Sequence, residues 1–358
     1  MDYSGRQRRL REALQSAKIP ALLVTHPPNV RYLCGFTGSA GVLLIADGKP
    51  SFFTDGRYRE QARAEVHGAK VIVPKGALLD AAARAIVDGK IRTVGVEADH
   101  LSVAAERKAA RAVFPRSRLR PTQSLVEKQR VIKEAAEIDC IRAAVQLGSG
   151  LFETAVAAVR PGVPEQSVAA ELEYAARKAG AEGMSFETII AAGARSALPH
   201  GRATAQPVPR RGFVVLDFGV ILAGYCSDMT RTVHVGKPTA QARGMYDAVR
   251  EAQQAAIDAV RPGRQVTEVD KAARSVLERA RLARYFTHST GHGVGLEIHE
   301  PPRVAGGQKD VMQPGMVITI EPGVYVPGYG GVRIEDMVVI TEASCQVLTP
   351  TTKELLTV

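Results

Sequence analysis

The sequence predicts an α/β domain over residues 1–123, followed by an α+β domain over 124–358 built from two helix–helix–hairpin halves. Three observations carry this prediction. Helix-like and strand-like runs alternate through the first 120 residues, the pattern of an α/β layer. Val159-Arg160-Pro161-Gly162 recurs as Val260-Arg261-Pro262-Gly263, each copy set between Ala-rich helical stretches, as in a degenerate duplication. Each repeat then runs into a pair of apolar strands that bear two carboxylates.

The elements follow in order. Residues 4–17 read as an Arg-rich amphipathic helix without an apolar signal core. Strand candidates lie at 20–25, 41–46, 51–54, 70–73 and 93–96, with helical patterns at 57–67, 77–88 and 102–112. Residues 115–124 read as a turn-rich linker, and 124–160 as a long, mostly helical entry into the second domain. Further helices are expected at 167–179 and 266–281. Two such halves about a pseudo-twofold would bring both hairpins to a common centre.

The hairpins hold the chemistry. Residues 213–218 form a buried strand ending near Asp217, a turn follows at Ala223-Gly224, and the return strand carries Asp228. The midpoint of the two carboxylates falls between Leu222 and Ala223, so the hairpin is expected to set them opposite each other. Val317 to Glu321 and Val332 to Asp336 make the second pair of strands, and the midpoint of Glu321 and Glu335 is Gly328. Asp217, Asp228, His292, Glu321 and Glu335 therefore read as a site for two divalent metal ions, which activate water for hydrolysis when a few ångströms apart. Arg333, two residues before Glu335 on the same strand face, is placed to orient a carboxylate or a substrate terminus.

Composition limits the alternatives. The chain has 358 residues, 45% of them hydrophobic, enough for two cores. No apolar run approaches the ~20 residues of a membrane span. Cys34, Cys140, Cys226 and Cys345 form no paired motif, which fits a reducing cytoplasm. The net charge of +10 comes from dispersed arginines, and aromatics are 5% with no tryptophan, so nucleic acid is not the expected ligand.

The stretches LDFGVILAGYCSDMTRT (216–232), HSTGHGVGLEIHEPPR (288–303), PGMVITIEPGVYVPGYGGVRIEDMVVIT (314–341) and LPHGRAT (198–204) resemble the pita-bread metallopeptidases. NVRYLCGFTGSAG (29–41) and FTDGRY (53–58) resemble the creatinase-like N-terminal domain of their proline-specific branch, the Xaa-Pro dipeptidases (prolidases) and short aminopeptidases P. The resemblance covers essentially the whole chain and all five metal positions. It implies that Asp217 binds one metal, that His292 and Glu321 bind the other, and that Asp228 and Glu335 bridge. Such an oxygen-rich shell with one imidazole suits Mn2+, with Co2+ or Zn2+ possible in vitro. Glu321 would shuttle a proton to the leaving proline nitrogen. His200, His288 and His299 would surround the metals, with His200 and His299 facing the substrate. Arg303, in the His299-Glu300-Pro301-Pro302-Arg303 run, would read the free carboxylate of a dipeptide. The implied partners are Xaa-Pro peptides and a second copy of the chain in a homodimer. Other readings are an aminopeptidase P acting on longer peptides, a non-catalytic binding protein on this fold, and a metal-free creatine hydrolase; members of the last two kinds lack the full ligand set.

Other residues carry blander expectations. Asp336 and Glu342 read as turn or surface residues, and His234 as a surface residue beyond the first hairpin. His26, His67 and His100 read as structural or solvated. Cys226 and Cys34 read as packing thiols. The glycines around His292 read as room for backbone close to the metals, and no phosphate cradle is expected there.

Overall fold

The computed structural model describes residues 1–358. Backbone contacts divide the chain into two units, Met1–Arg130 and Val131–Val358. No helix is long and apolar enough to cross a membrane.

The first unit is a six-stranded mixed sheet in the order Lys70–Ile72, Ser51–Thr54, Gly41–Ile45, Leu22–Val24, Thr93–Glu97, Arg118–Thr122. Helices Leu78–Asp88 and Val103–Val113 bring Ala82, Ile86 and Val113 onto Leu23, Val42, Phe53 and Val94 of the sheet. Two elements escape the sequence reading. Pro27-Pro28, where no element is expected from the sequence, opens the helix Pro27–Cys34, in which proline's fixed φ suits the first turn and its missing N–H costs nothing. Gly35 ends that helix in the left-handed conformation at φ 86°. Arg118–Thr122 is charged and contains Pro121, yet it pairs in parallel with Thr93–Glu97 as an edge strand, where proline is tolerated. Cys34 is buried and its thiol is pushed up to about 12 by desolvation. His26 stacks on His100 with ring centroids 3.6 Å apart, and His67 stacks on Tyr3.

The second unit runs through the same order twice. Helices Ala135–Gly150, Phe152–Ala158 and Glu165–Lys178 precede a sheet of Ile189–Ala192, Gly212–Phe218 and Met229–Val235. Helices Ala240–Ala259 and Val266–Arg279 precede a five-stranded sheet centred on Val317–Ile320, with Asp336–Ile340 as its antiparallel neighbour. Each half has its own apolar core between helices and hairpin: Val168, Leu172, Val214 and Leu216 in the first, Val249, Val269, Ile318 and Val338 in the second.

The two registers position the site. The first hairpin closes at Leu222↔Tyr225 through Ala223 (φ 50°) and Gly224 (φ 77°), both left-handed, the two-residue turn that suits strand twist. The same register sets Asp217 across from Thr230 and leaves Asp228 two residues nearer the turn. The expected opposition of Asp217 and Asp228 is therefore corrected by two residues. A shift of two keeps both side chains on one face, so the site survives it. In the second hairpin, Ile320 pairs with Asp336 and Gly323 with Arg333, so Glu321 stands across from Glu335.

Two surface expectations are overturned here. His234 is buried: its Nδ1–H donates to the Gly236 carbonyl at 2.7 Å, and its backbone pairs with Leu356 and Val358. The segment 349–358, silent in the sequence, creates that burial. Asp336 is fully buried against the guanidinium of Arg231 at 2.7 Å, a partner more than a hundred residues away.

Candidate metal centre

All five predicted ligands converge between the two hairpins. His292 Nε2 lies 3.6 Å from Asp228 Oδ2 and 3.6 Å from Glu321 Oε1. Ligand atoms of Asp228, His292 and Glu335 all fall within 4.8 Å of one another. His292 Nδ1 donates to the Gly293 carbonyl at 3.0 Å, which leaves Nε2 as the lone-pair nitrogen facing the carboxylates. Glycine is required around it: a Cβ on Gly291 would lie 1.9 Å from the Thr319 carbonyl oxygen, and one on Gly293 would lie 2.2 Å from that of Pro301.

The electrostatics of the cluster call for cations. Burial raises the carboxyl pKa of Asp228 well above its usual range, and the neighbouring Glu335, Asp217 and Glu321 raise it further. Glu321 is raised in the same way, by burial and then Glu335. Glu335 is pushed up to about 8 by burial and by Asp217. Asp217 Oδ1 is buried without any hydrogen-bond partner. An orphaned carboxylate oxygen beside three carboxyls that repel one another is an arrangement two divalent ions would satisfy, so the donor set fits the implied metals.

Arg333 is the guanidinium inside this cluster. It donates from Nη2 to Asp217 Oδ2, from Nε to Thr230 Oγ1 at 3.1 Å, and from Nη1 to Tyr325 Oη at 2.6 Å. The Thr230 hydroxyl in turn donates to Glu335 Oε2 at 2.7 Å. Tyr325 Oη lies 2.8 Å from His288 Nε2, while His288 Nδ1–H donates to the Ser289 carbonyl at 2.8 Å. Since Arg333 can only donate, the Tyr325 proton points to His288 and holds it as a neutral imidazole. Burial and Arg333 push His288 down to about 4, in agreement. Sequence reasoning missed Tyr325 and Thr230. Thr230 was within reach of it, two residues past Asp228 on the same strand face.

The remaining predicted residues line a cavity of about 990 Å³ that opens on the carboxylates. His200 and His299 are exposed on its wall, and the His299 ring meets His292 edge-on at 4.5 Å. Arg303 is exposed, pairs in register with His292, and engages no carboxylate of the protein. Glu300 is buried beside His299 and is held by Lys133 Nζ at 3.1 Å. Cys226 packs in an apolar cluster with Ile141 and Val294 and does not line the cavity, its thiol pushed up to about 12 by burial.

Comparison with known proteins agrees with this architecture. Residues 139–342 match the model of metallopeptidase family M24, and residues 6–132 that of the creatinase/prolidase N-terminal domain. The chain is 37% identical over 352 residues to the Xaa-Pro dipeptidase of Pyrococcus furiosus, covering 98% of this chain and 99% of that one. It superposes on the Xaa-Pro dipeptidase from Bacillus anthracis with a TM-score of 0.96 at 40% identity, over 99% of this chain and 100% of that one. The X-Pro aminopeptidase from Thermotoga maritima matches with a TM-score of 0.90 at 34% identity, over 97% and 100% of the two chains. The chain belongs to metallopeptidase family M24: it is a metallopeptidase of pita-bread fold with a creatinase/prolidase N-terminal domain, related to Xaa-Pro dipeptidases and X-Pro aminopeptidases.

Proposed function

We propose that this site hydrolyses the bond before proline at the N-terminus of peptides, with Xaa-Pro dipeptides as preferred substrates. The observation that supports the dipeptide preference is Arg303, a guanidinium on the cavity wall with no carboxylate of the protein to pair with. A dipeptide presents a free carboxylate on its proline, and a guanidinium binds that group in a bidentate fork. Proline has no N–H and a fixed φ, so a site that reads termini suits it better than one that reads an extended backbone.

Asp217 would hold one metal, His292 and Glu321 the other, and Asp228 and Glu335 both; manganese is the proposed ion. When bound, the pair supplies Lewis acidity and water of lowered pKa. The chain's residues do the rest. Arg333 and Thr230 hold the Asp217 and Glu335 carboxylates in place. Glu321 carries a proton to the leaving proline nitrogen, with His288 Nδ1 3.9 Å from its Oε2. His200 and His299 donate to the charge that develops on the scissile carbonyl oxygen. A homodimer belongs to the same proposal.

The alternative, release of the first residue from longer Xaa-Pro peptides, draws support from the Thermotoga aminopeptidase at nearly full coverage. Paired assays on manganese-loaded protein separate the two. Turnover of Ala-Pro but not of Ala-Pro-Xaa, with Arg303→Ala raising KM for Ala-Pro, is the expected result. Preferential turnover of the tripeptide would overturn the dipeptide preference, and absence of metal-dependent turnover of either would overturn the peptidase reading of the site.

A further inference from the structure

A second buried guanidinium, Arg231, stands behind the metal centre and takes no part in the chemistry proposed above. Its side chain is 2% exposed. Each of its five N–H donors has an acceptor. Nε donates to the Thr352 carbonyl at 2.8 Å. Nη1 donates to the carbonyls of Thr230 at 2.9 Å and Glu335 at 2.6 Å. Nη2 donates to Asp336 Oδ1 at 2.7 Å and to the Thr351 carbonyl at 2.6 Å. One planar group thus ties together the first hairpin, the second hairpin and the segment 349–358.

The acceptors identify what is being held. Thr230 and Glu335 are the residues whose side chains hydrogen-bond in the metal centre, and their main chains meet directly as Glu335 N–H donates to the Thr230 carbonyl at 3.1 Å. Arg231 grips both carbonyls at that crossing. Asp336 is fixed from its other oxygen by Gln253 Nε2 at 2.8 Å and Lys353 Nζ at 3.1 Å. Tyr246 Oη secures the Lys353 carbonyl at 3.1 Å. Beyond Lys353, Leu355 packs on the core of the second half, while Leu356 and Val358 pack on that of the first.

A buried ion pair is a poor source of stability compared with apolar packing of the same volume. A guanidinium with every donor satisfied, spanning three segments, instead provides fixed geometry. We infer that Arg231, anchored by Asp336 and the segment 349–358, is a positioning residue for the metal centre: it sets the main chain at Thr230 and Glu335, and so the carboxylate of Glu335. The inference rests on the metal-centre reading above. The segment 349–358 then tunes metal affinity although none of its residues lines the cavity.

The test measures Mn2+ binding by calorimetry, the spin coupling of the bound pair by paramagnetic resonance, and the Tm of metal-free protein. The variants are Arg231→Lys, which keeps the charge but cannot span five acceptors, and Lys353→Met, which touches only the far end of the network. A tenfold or greater loss of Mn2+ affinity with weakened coupling in Arg231→Lys, and a loss of about threefold in Lys353→Met, is expected. A lower metal-free Tm with wild-type affinity and coupling would mean a structural role only and would overturn the inference. If Arg231→Lys does not fold, unchanged affinity in Lys353→Met overturns it alone. Failure of the wild type to bind Mn2+ would instead remove the metal-centre reading, and the inference with it.

Discussion

At the scale of single residues, the centre holds more carboxyl groups than the one buried guanidinium of Arg333 can offset, and the response of the metal-free protein to pH follows from that. Glu335, pushed up to about 8, keeps in the folded state a proton that the unfolded chain releases near its usual 4.5. The native state therefore binds more protons than the unfolded one across that window, and stability falls as pH rises through it. Asp228 and Glu321 act in the same direction. His288 and His292, lowered from 6.5 to about 4, act oppositely but only below about 6.5. Chelator-treated protein is thus expected to lose Tm between pH 6.5 and 8, and manganese-loaded protein to hold it; a flat metal-free profile would count against the cluster's charge balance. Tyr325→Phe is the second residue-scale prediction. It removes an acceptor from Arg333 and a donor from His288, and hydrogen bonds to charged groups contribute about 1.5–3 kcal/mol, so kcat is expected to fall about ten- to a hundredfold. Unchanged kcat would remove Tyr325 from the site's working parts. Four of the five proposed ligands were legible as residues because carboxylates on apolar strands require a counter-charge. Asp336 was not, since Ile-Glu-Asp looks like a strand end until Arg231 is seen against it.

At the scale of elements, the hairpins depend on backbone clearances that side-chain patterns do not report. Gly219 sits beside the strand end that carries Asp217, and a Cβ there would lie 1.8 Å from the Ser227 carbonyl oxygen, next to Asp228. Gly219→Ala is expected to destabilise by about 1–3 kcal/mol, as overpacking does, and to weaken Mn2+ binding by displacing Asp228. Denaturant unfolding and calorimetry on the same variant check both effects; wild-type metal affinity would show that the hairpin absorbs the methyl elsewhere. The apolar strands and Ala-rich helices declared themselves by period. The helix opening on Pro27-Pro28 and the edge strand through Pro121 did not, because proline signals a break wherever a neighbouring strand or a helix's first turn does not redeem it. The first hairpin's register slipped by two for a related reason. The symmetry of the carboxylates suggested a turn centre, whereas the left-handed pair Ala223-Gly224 sets it.

At the scale of the whole molecule, all five proposed ligands, Arg333, Tyr325 and both supporting cores lie within Val131–Val358. A fragment of residues 131–358 is therefore expected to fold and to bind Mn2+ with the stoichiometry of the full chain, as read by calorimetry. A fragment that folds without binding metal would show that the first unit is needed to complete the centre. What the sequence determined by itself was the α/β and α+β division, the duplicated helix–helix–hairpin plan and the four carboxylates and one histidine proposed to bind the metals. Period, turn chemistry and the cost of burying charge are local properties, and they are written residue by residue. Only the tertiary structure decided which groups brace the surroundings of that site: Tyr325 on His288 and Arg333, Lys133 on Glu300, Arg231 on Thr230, Glu335 and Asp336, and the segment 349–358 that buries His234. Those partners are satisfied donors and acceptors brought together from distant parts of the chain, and a hydrogen bond between residues a hundred positions apart leaves no period in the sequence.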